Sequence, residues 1–199
     1  MTVPSPALFN RRSSSSMLVA AAASFLVLTV AFGMPAQAYQ LSGCKYDSAQ
    51  PPSITYVKYS LPAAYGSAFD TGQYNWDLRT GSTTYFASTT STDPNIDVYA
   101  VSSLPGGVWA LTTGECWATT RTWKYDEVRI DFSRVIMDPI SAESKARVAA
   151  HELGHAYGLG HVSTNCASSP AIMWNSTAMF GCWGTWPWAD DVAGWDSLY

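Results

Sequence analysis

The sequence predicts one α+β domain at residues 39–199, preceded by an export signal at 1–38. Of its 199 residues, 47% are hydrophobic and 13% charged, which suits one packed core and excludes a disordered or coiled-coil chain. Strand-like segments fill the first part and helical patterns the last, which is typical of an α+β fold. The net charge of −4, with no basic cluster longer than Arg11-Arg12, argues against a nucleic-acid partner.

The first 38 residues have the pattern of a secretory signal peptide. Arg11 and Arg12 form the positive region, 17–32 are apolar, and Ala-Gln-Ala at 36–38 predicts cleavage after Ala38. The alternative is a membrane anchor, but the apolar stretch is shorter than the roughly 20 residues that span a bilayer. The adjacent arginines also suggest the twin-arginine route, although the serines at 13–16 favour the general secretory route. Cleavage would leave a net charge of −6, because the signal contains two arginines and no acidic residue.

Four cysteines remain in the exported part, and an even number predicts two disulfides with three possible pairings. We expect Cys44–Cys116, which ties the N-terminal segment to the body, and Cys166–Cys182, which closes a short local loop. A zinc site built from cysteines is the competing interpretation, but the chain has no C-x2-C spacing.

The elements up to residue 132 are predicted to be mostly strands. Residues 39–52 are irregular, and 64–78 fit one helix through Tyr65, Phe69 and Trp76, although Gly72 weakens that prediction. Short β-branched or aromatic segments between turn residues predict strands at 53–59, 83–87, 96–101, 108–112 and 127–132.

One long helix follows, beginning at 138–139 or at Ser141, with Glu143 favourable in its first turn. Gly158 and Gly160 are expected to end it. The remaining tail is rich in tryptophan and glycine, with a possible final helix from Asp190.

The long helix carries His151-Glu152-Leu153-Gly154-His155. Residues four apart lie on one helix face, so His151 and His155 can bind one metal ion, while Glu152 can reach a water on that ion. A continuing helix would carry His161 past the ion. Gly158 can adopt the left-handed conformation that turns the chain back, so His161 can complete a three-histidine site.

Three imidazoles at this spacing predict a catalytic Zn²⁺ with its fourth position open to water. Such an ion lowers the pKa of its water toward about 7, and Glu152 can act as general base and then pass the proton to a leaving amine. The alternative is an ordinary amphipathic helix with surface histidines. Against it, all three histidines of the chain lie within residues 151–161 at ligand spacing.

With these residues the sequence resembles the metzincin zinc peptidases, whose signature is H-E-x-x-H-x-x-G-x-x-H followed by a methionine turn. Ala-Ile-Met-Trp at 171–174 is similar to that turn, with Met173 packed beneath the metal as a structural residue. Within this group the chain resembles matrixins most, since 190–199 is similar to their closing helix. Asn175 stands where other metzincins place a tyrosine, which also favours matrixins.

The resemblance implies a zincin fold with a twisted, mostly parallel five-stranded sheet and an antiparallel edge strand. It also implies two main helices and a C-terminal helix. The edge strand would pair with an extended substrate, and 107–110 is similar to it, which makes Trp109 and Ala110 candidate substrate-binding residues.

The chain departs from matrixins in several places. Val162 replaces the serine that usually follows the third histidine, and the segment to Met173 is longer and contains Cys166. The motif of a latency propeptide is absent around Cys44, so we expect no cysteine switch. No histidine remains for a second zinc ion, and calcium at the acidic residues of 93–97 has no support beyond composition.

These observations predict a secreted, monomeric, bacterial zinc endopeptidase. It is expected to cut peptide bonds of extracellular proteins and to contact no nucleic acid or membrane after signal cleavage. Two alternatives remain open. One is a zinc hydrolase of a non-protein extracellular substrate; the other is a non-catalytic secreted carbohydrate-binding protein.

Overall fold

A sheet and two long helices form most of the fold. The computed structural model describes residues 39–47, 54–80, 86–88, 94–163, 170–175, 180 and 184–199. Within these ranges no helix is both long and apolar enough to cross a membrane. In chain order the elements are β1 (Gln40–Leu41), β2 (Ile54–Lys58), α1 (Ala63–Arg79), β3 (Phe86–Ser88), β4 (Ile96–Val101), β5 (Ala110–Thr113), β6 (Cys116–Trp117), β7 (Thr122–Trp123), β8 (Val128–Ser133), α2 (Arg134–Met137), α3 (Ala142–Tyr157), β9 (Leu159–Gly160) and α4 (Ala189–Asp196).

The main sheet has five strands in the order β3-β2-β4-β8-β5. The first four are parallel, whereas β5 lies at the edge and pairs antiparallel with β8, with Ala110 opposite Phe132. Two shorter antiparallel pairs, β1 with β9 and β6 with β7, complete the strands. The predicted α+β class is confirmed.

The strand predictions differ from the structure mainly in length. The edge strand begins at Ala110 instead of 108, because Pro105–Gly107 forms a 3-10 turn in which Gly106 and Gly107 have φ of 70° and 69°. The segment 39–52, predicted to be irregular, contains β1, and the hairpin β6–β7 was also missed. Residues 83–85 of one predicted strand lie outside the described residues.

The helices α1 and α3 pack closely at Gly72. A Cβ atom at this position would lie 2.8 Å from the backbone nitrogen of Ala150, so the glycine that weakened the helix prediction permits the contact. One turn later the Trp76 indole nitrogen donates to the Ala150 carbonyl at 2.8 Å. Against these helices the sheet buries Ile54, Ile96, Val98, Ile130 and Phe132.

The predicted disulfide Cys44–Cys116 is confirmed, with its Cα atoms 6.0 Å apart. It links the N-terminal segment to β6, which follows the edge strand. The pairing of Cys166 with Cys182 falls outside the described residues and stays a prediction.

Removing the first disulfide should destabilise the protein. The bond joins residues 72 positions apart, and a loop of this size corresponds to about 4 kcal/mol of unfolded-state entropy. We expect the Cys44→Ser/Cys116→Ser double variant, which leaves no unpaired partner thiol, to unfold at clearly lower urea concentration than the wild type. An unchanged midpoint would show that the bond contributes nothing to stability.

Asp77 gives stability a specific pH dependence. One oxygen of this α1 carboxylate accepts from the Gln73 amide, while the other is buried with no donor among the described residues. Burial raises the pKa of Asp77 to about 6, so the folded state holds its proton more tightly than the unfolded state does. Stability should therefore fall as pH rises from about 4 to about 6.

We expect Asp77→Asn to remove that loss. Between pH 4 and pH 7, the free energy of unfolding of the wild type should fall by about 1 kcal/mol relative to that of the variant. This value is reduced to account for the partial exposure of Asp77. Urea titrations of both proteins at the two pH values measure it. Parallel changes in the two proteins would contradict the assignment.

Candidate active site

Three histidine nitrogens converge at the end of α3. The Nε2 atoms of His151 and His155 lie 3.1 Å apart, and those atoms lie 3.1 Å and 3.0 Å from Nε2 of His161. A tetrahedral zinc ion with bonds of about 2.0–2.1 Å separates its nitrogen ligands by about 3.3 Å, so the set fits such an ion. In the described part of the chain, no other group of three His, Cys, Asp or Glu residues can hold a metal.

Gly158 and the strand after it bring His161 to this group. Gly158 ends α3 in the left-handed conformation, with φ 105° and ψ 13°, which confirms the predicted turn. The chain then continues as β9, which pairs with β1 so that Gln40 lies opposite Gly160. The segment that leads into His161 is thus held by the N-terminal strand.

Backbone carbonyls orient two of the imidazoles. Nδ1 of His151 donates to the Ile172 carbonyl at 2.7 Å, and Nδ1 of His155 donates to the Leu159 carbonyl at 2.8 Å. A carbonyl can only accept, so each Nδ1 bears the hydrogen and each Nε2 presents its lone pair to the centre.

Burial favours the neutral imidazoles that a metal requires. It lowers the pKa of His151 to about 3, with a further decrease from neighbouring His155. Burial also lowers the pKa of His161. These two rings therefore need not lose a proton at neutral pH before they bind a cation.

Glu152 lies buried beside the three rings, with 5% of its surface exposed. Burial raises the pKa of its carboxyl group, while neighbouring His155 and the hydrogen bonds from Thr112 lower it. The Thr112 hydroxyl, on β5, donates to Oε2 of Glu152 at 2.6 Å. Sequence reasoning assigned no role to Thr112.

Met173 is buried against α3, next to Gly154. It is 1% exposed, and its carbonyl accepts from the Val162 amide at 3.0 Å. A Cβ atom at Gly154 would lie only 2.2 Å from the Met173 sulfur. The missing side chain of Gly154 therefore allows α3 to pack against Met173, a contact that the sequence analysis did not predict.

A buried carboxylate on α4 holds the segment around Met173. Asp191, 1% exposed, accepts from the amides of Ile172 and Met173 at 2.7 Å and 3.2 Å, and from that of Trp188 at 2.8 Å. Burial raises its pKa to about 6, although the three amides act in the opposite direction. The sequence prediction placed a helix here but did not recognise this contact.

A cleft of about 550 Å³ lies between β5 and the histidines, and both predicted substrate-binding residues line it. The Trp109 carbonyl accepts from the Ser133 amide of β8 at 2.9 Å, so this main-chain group is already bonded. Because hydrogen-bonding directions alternate along an edge strand, the main chains of Ala110 and Thr112 face the open side. Further lining residues are Val108, Leu111, Trp123, Trp174 and Asn175.

The protein thus has an α+β fold and a partly buried group of three histidines that can hold a metal ion. No protein-family model matches the sequence, and no curated protein matches it. Its fold is similar to the crystal structure of myroilysin, with a TM-score of 0.51 and 16% identity over 76% of this chain and 85% of that one. A second myroilysin structure matches 62% of this chain and 54% of that one at 20% identity, with a TM-score of 0.43.

Proposed function

We propose that this protein is a secreted zinc-dependent endopeptidase. The observation that carries the proposal is the convergence of three imidazole nitrogens, within 3.0–3.1 Å of one another, next to a buried glutamate and below an open strand edge. The fold is also similar to that of myroilysin. Among metzincins we favour the matrixin-like type, on the sequence patterns around Met173 and at 190–199.

In this proposal His151, His155 and His161 hold the zinc ion through Nε2. When bound, zinc acidifies a water molecule and polarises the carbonyl of the scissile peptide bond. The carbonyl groups of Ile172 and Leu159 keep two of the rings in the required tautomer, so the ligand geometry exists before the metal arrives.

Glu152 acts as the general base. Its carboxylate takes the proton of the attacking water and afterwards delivers it to the nitrogen of the leaving amine. Burial raises the pKa of this carboxyl group, which makes it a better proton acceptor than an exposed glutamate. Glu152 directly follows the proposed ligand His151 on the same helix. Its carboxylate therefore stays close to the metal site, where the substrate carbonyl would be polarised.

The substrate would bind as an additional strand along β5. The outward main-chain groups of Ala110 and the outward carbonyl of Thr112 offer the hydrogen bonds that an extended peptide needs, and Trp109 borders the same cleft. Apart from Glu152 and the histidines, the described residues that line the cleft are uncharged and include three tryptophans. Uncharged, apolar peptide segments are therefore the expected substrates.

The test combines metal analysis with a cleavage assay. We expect the purified protein to contain one zinc ion and to cleave a reduced, alkylated protein substrate. A chelator should abolish cleavage, and added zinc should restore it. Zinc binding without peptide cleavage, together with hydrolysis of a cell-wall or lipid substrate, would instead support the non-protein hydrolase. Binding of polysaccharide without any hydrolysis would support the carbohydrate-binding alternative.

We also propose that residues 1–38 are removed during export and that the protein acts as a monomer. The disulfide Cys44–Cys116 supports an oxidising destination. N-terminal sequencing of the protein from the culture medium should begin at Tyr39. A protein retained in the membrane with residues 1–38 attached would contradict the export signal.

A further inference from the structure

Thr112 joins the edge strand to the proposed general base. Its hydroxyl oxygen lies 2.6 Å from Oε2 of Glu152, a distance typical of a hydroxyl donating to an ionised carboxylate. The backbone carbonyl of Glu152 is a poorer competitor, at 3.1 Å from the same hydroxyl. Since a hydroxyl has one hydrogen, the short contact to the carboxylate takes it.

Thr112 is the described residue that binds this carboxylate. Its hydroxyl donates to Oε2, and its backbone amide is a second donor to the same carboxyl group. Glu152 is almost completely buried, and no described lysine or arginine forms an ion pair with it. A buried carboxylate without such a partner depends on its hydrogen bonds for both orientation and charge.

The position of Thr112 on β5 gives the contact a second consequence. Its hydroxyl and its backbone amide both bond to Glu152 of α3, while its backbone carbonyl lies on the open edge at which a peptide would pair. One residue therefore contacts the base through its side chain and can contact the substrate through its backbone. The distance between a bound peptide and the Glu152 carboxylate would then be set by one residue of β5.

We propose that Thr112 is a positioning residue for Glu152: its hydroxyl binds Oε2 and thereby holds the carboxylate in the orientation in which it receives the proton. This inference rests on the proposed peptidase function and adds a residue that acts through Glu152. The hydroxyl is the necessary group, so serine should replace threonine, whereas the nearly isosteric valine should not.

The experiment compares Thr112→Val, Thr112→Ser and the matched control Thr113→Val. Thr113 is the exposed next residue of the strand and has no contact with Glu152 among the described side chains. Thr112→Val should lower kcat by about tenfold or more, with KM changed less than about threefold, because one hydrogen bond to a charged group is lost. Thr112→Ser should stay within about threefold of the wild type, and Thr113→Val should match it.

A second readout uses the metal-free protein. The infrared carboxylate bands of Glu152, identified by difference against Glu152→Gln, should shift in Thr112→Val and remain in Thr112→Ser. Zinc affinity, measured by chelator competition, should be equal in all Thr112 and Thr113 variants. If Thr112→Val unfolds, Thr112→Ala provides the same comparison without the added methyl group.

The outcomes separate this inference from the proposed function. Unchanged kcat and unchanged infrared bands in Thr112→Val would overturn the positioning role even if the wild type is a peptidase. Failure of Thr112→Ser to restore kcat in a folded protein would also overturn it. If the wild type cleaves no peptide, the proposed function fails, and the inference about catalysis fails with it, although the infrared shift would still establish the contact.

Discussion

The Glu152→Gln variant is expected to bind one zinc ion with wild-type affinity and to lose peptidase activity by about 10³-fold. Glutamine has nearly the same shape and can still accept from the Thr112 hydroxyl, but it cannot take a proton from water. The three histidines are unaltered, and their orienting carbonyl groups belong to Ile172 and Leu159. The loss should therefore appear in kcat and leave zinc content unchanged.

A matched control lies on the same helix. Glu143→Gln makes the same chemical change nine residues earlier, at a side chain that is 70% exposed and lies 3.9 Å from Arg147. We expect this variant to retain full activity. Measurement of kcat, KM and zinc stoichiometry for both variants provides the test, and substantial cleavage by Glu152→Gln would rule out Glu152 as the base.

Gly158→Ala should destabilise the protein and weaken its zinc affinity at the same time. With φ at 105°, an alanine here is strained, and its Cβ atom would lie 2.2 Å from the Cys44 carbonyl oxygen. That oxygen cannot move away easily, because Cys44 is fixed by its disulfide and the Ser42 amide donates to the Gly158 carbonyl at 2.7 Å. Backbone strain and overpacking together predict that the free energy of unfolding falls by about 2–5 kcal/mol in this variant.

Gly66→Ala is the control for this substitution. Gly66 lies inside α1, and its nearest neighbour to a new Cβ atom would be the flexible Lys58 side chain at 3.9 Å. Alanine should stabilise this helix by up to about 1 kcal/mol. Thermal unfolding should place the two variants on opposite sides of the wild type, whereas chelator competition should show weakened zinc binding in Gly158→Ala alone. Equal stability of Gly158→Ala and the wild type would show that the left-handed turn is not required.

The sequence predicted the parts of the site that are close together along the chain. His151, Glu152 and His155 follow from helix periodicity, and Gly158 from the conformational demand of the turn to His161. The start of α3 was within reach for the same reason, because the Ser141 side chain accepts from the Ser144 amide as a helix cap does.

The contacts that were missed join side chains from distant segments. Thr112 meets Glu152 across 40 residues, and Asp191 meets Ile172 across 19. Such pairs leave no periodic signal, since their identity depends on how the elements pack. The strands β1 and β9 are only two residues long, too short for alternation to show. Gly154 did offer a signal, because glycine is unfavourable in the middle of a helix unless packing requires it.

The pairing of β1 with β9 has a consequence for the folding pathway. The proposed ligands His151 and His155 lie on one helix, one turn apart. The third, His161, directly follows β9, which pairs with residues 40 and 41. Contacts between segments so far apart in sequence form slowly, because the loop between them must close first. Zinc added to the unfolded chain should therefore meet a two-histidine helix early. The full zinc affinity of the protein should develop only at the rate at which β1 pairs with β9 and His161 reaches the other two ligands.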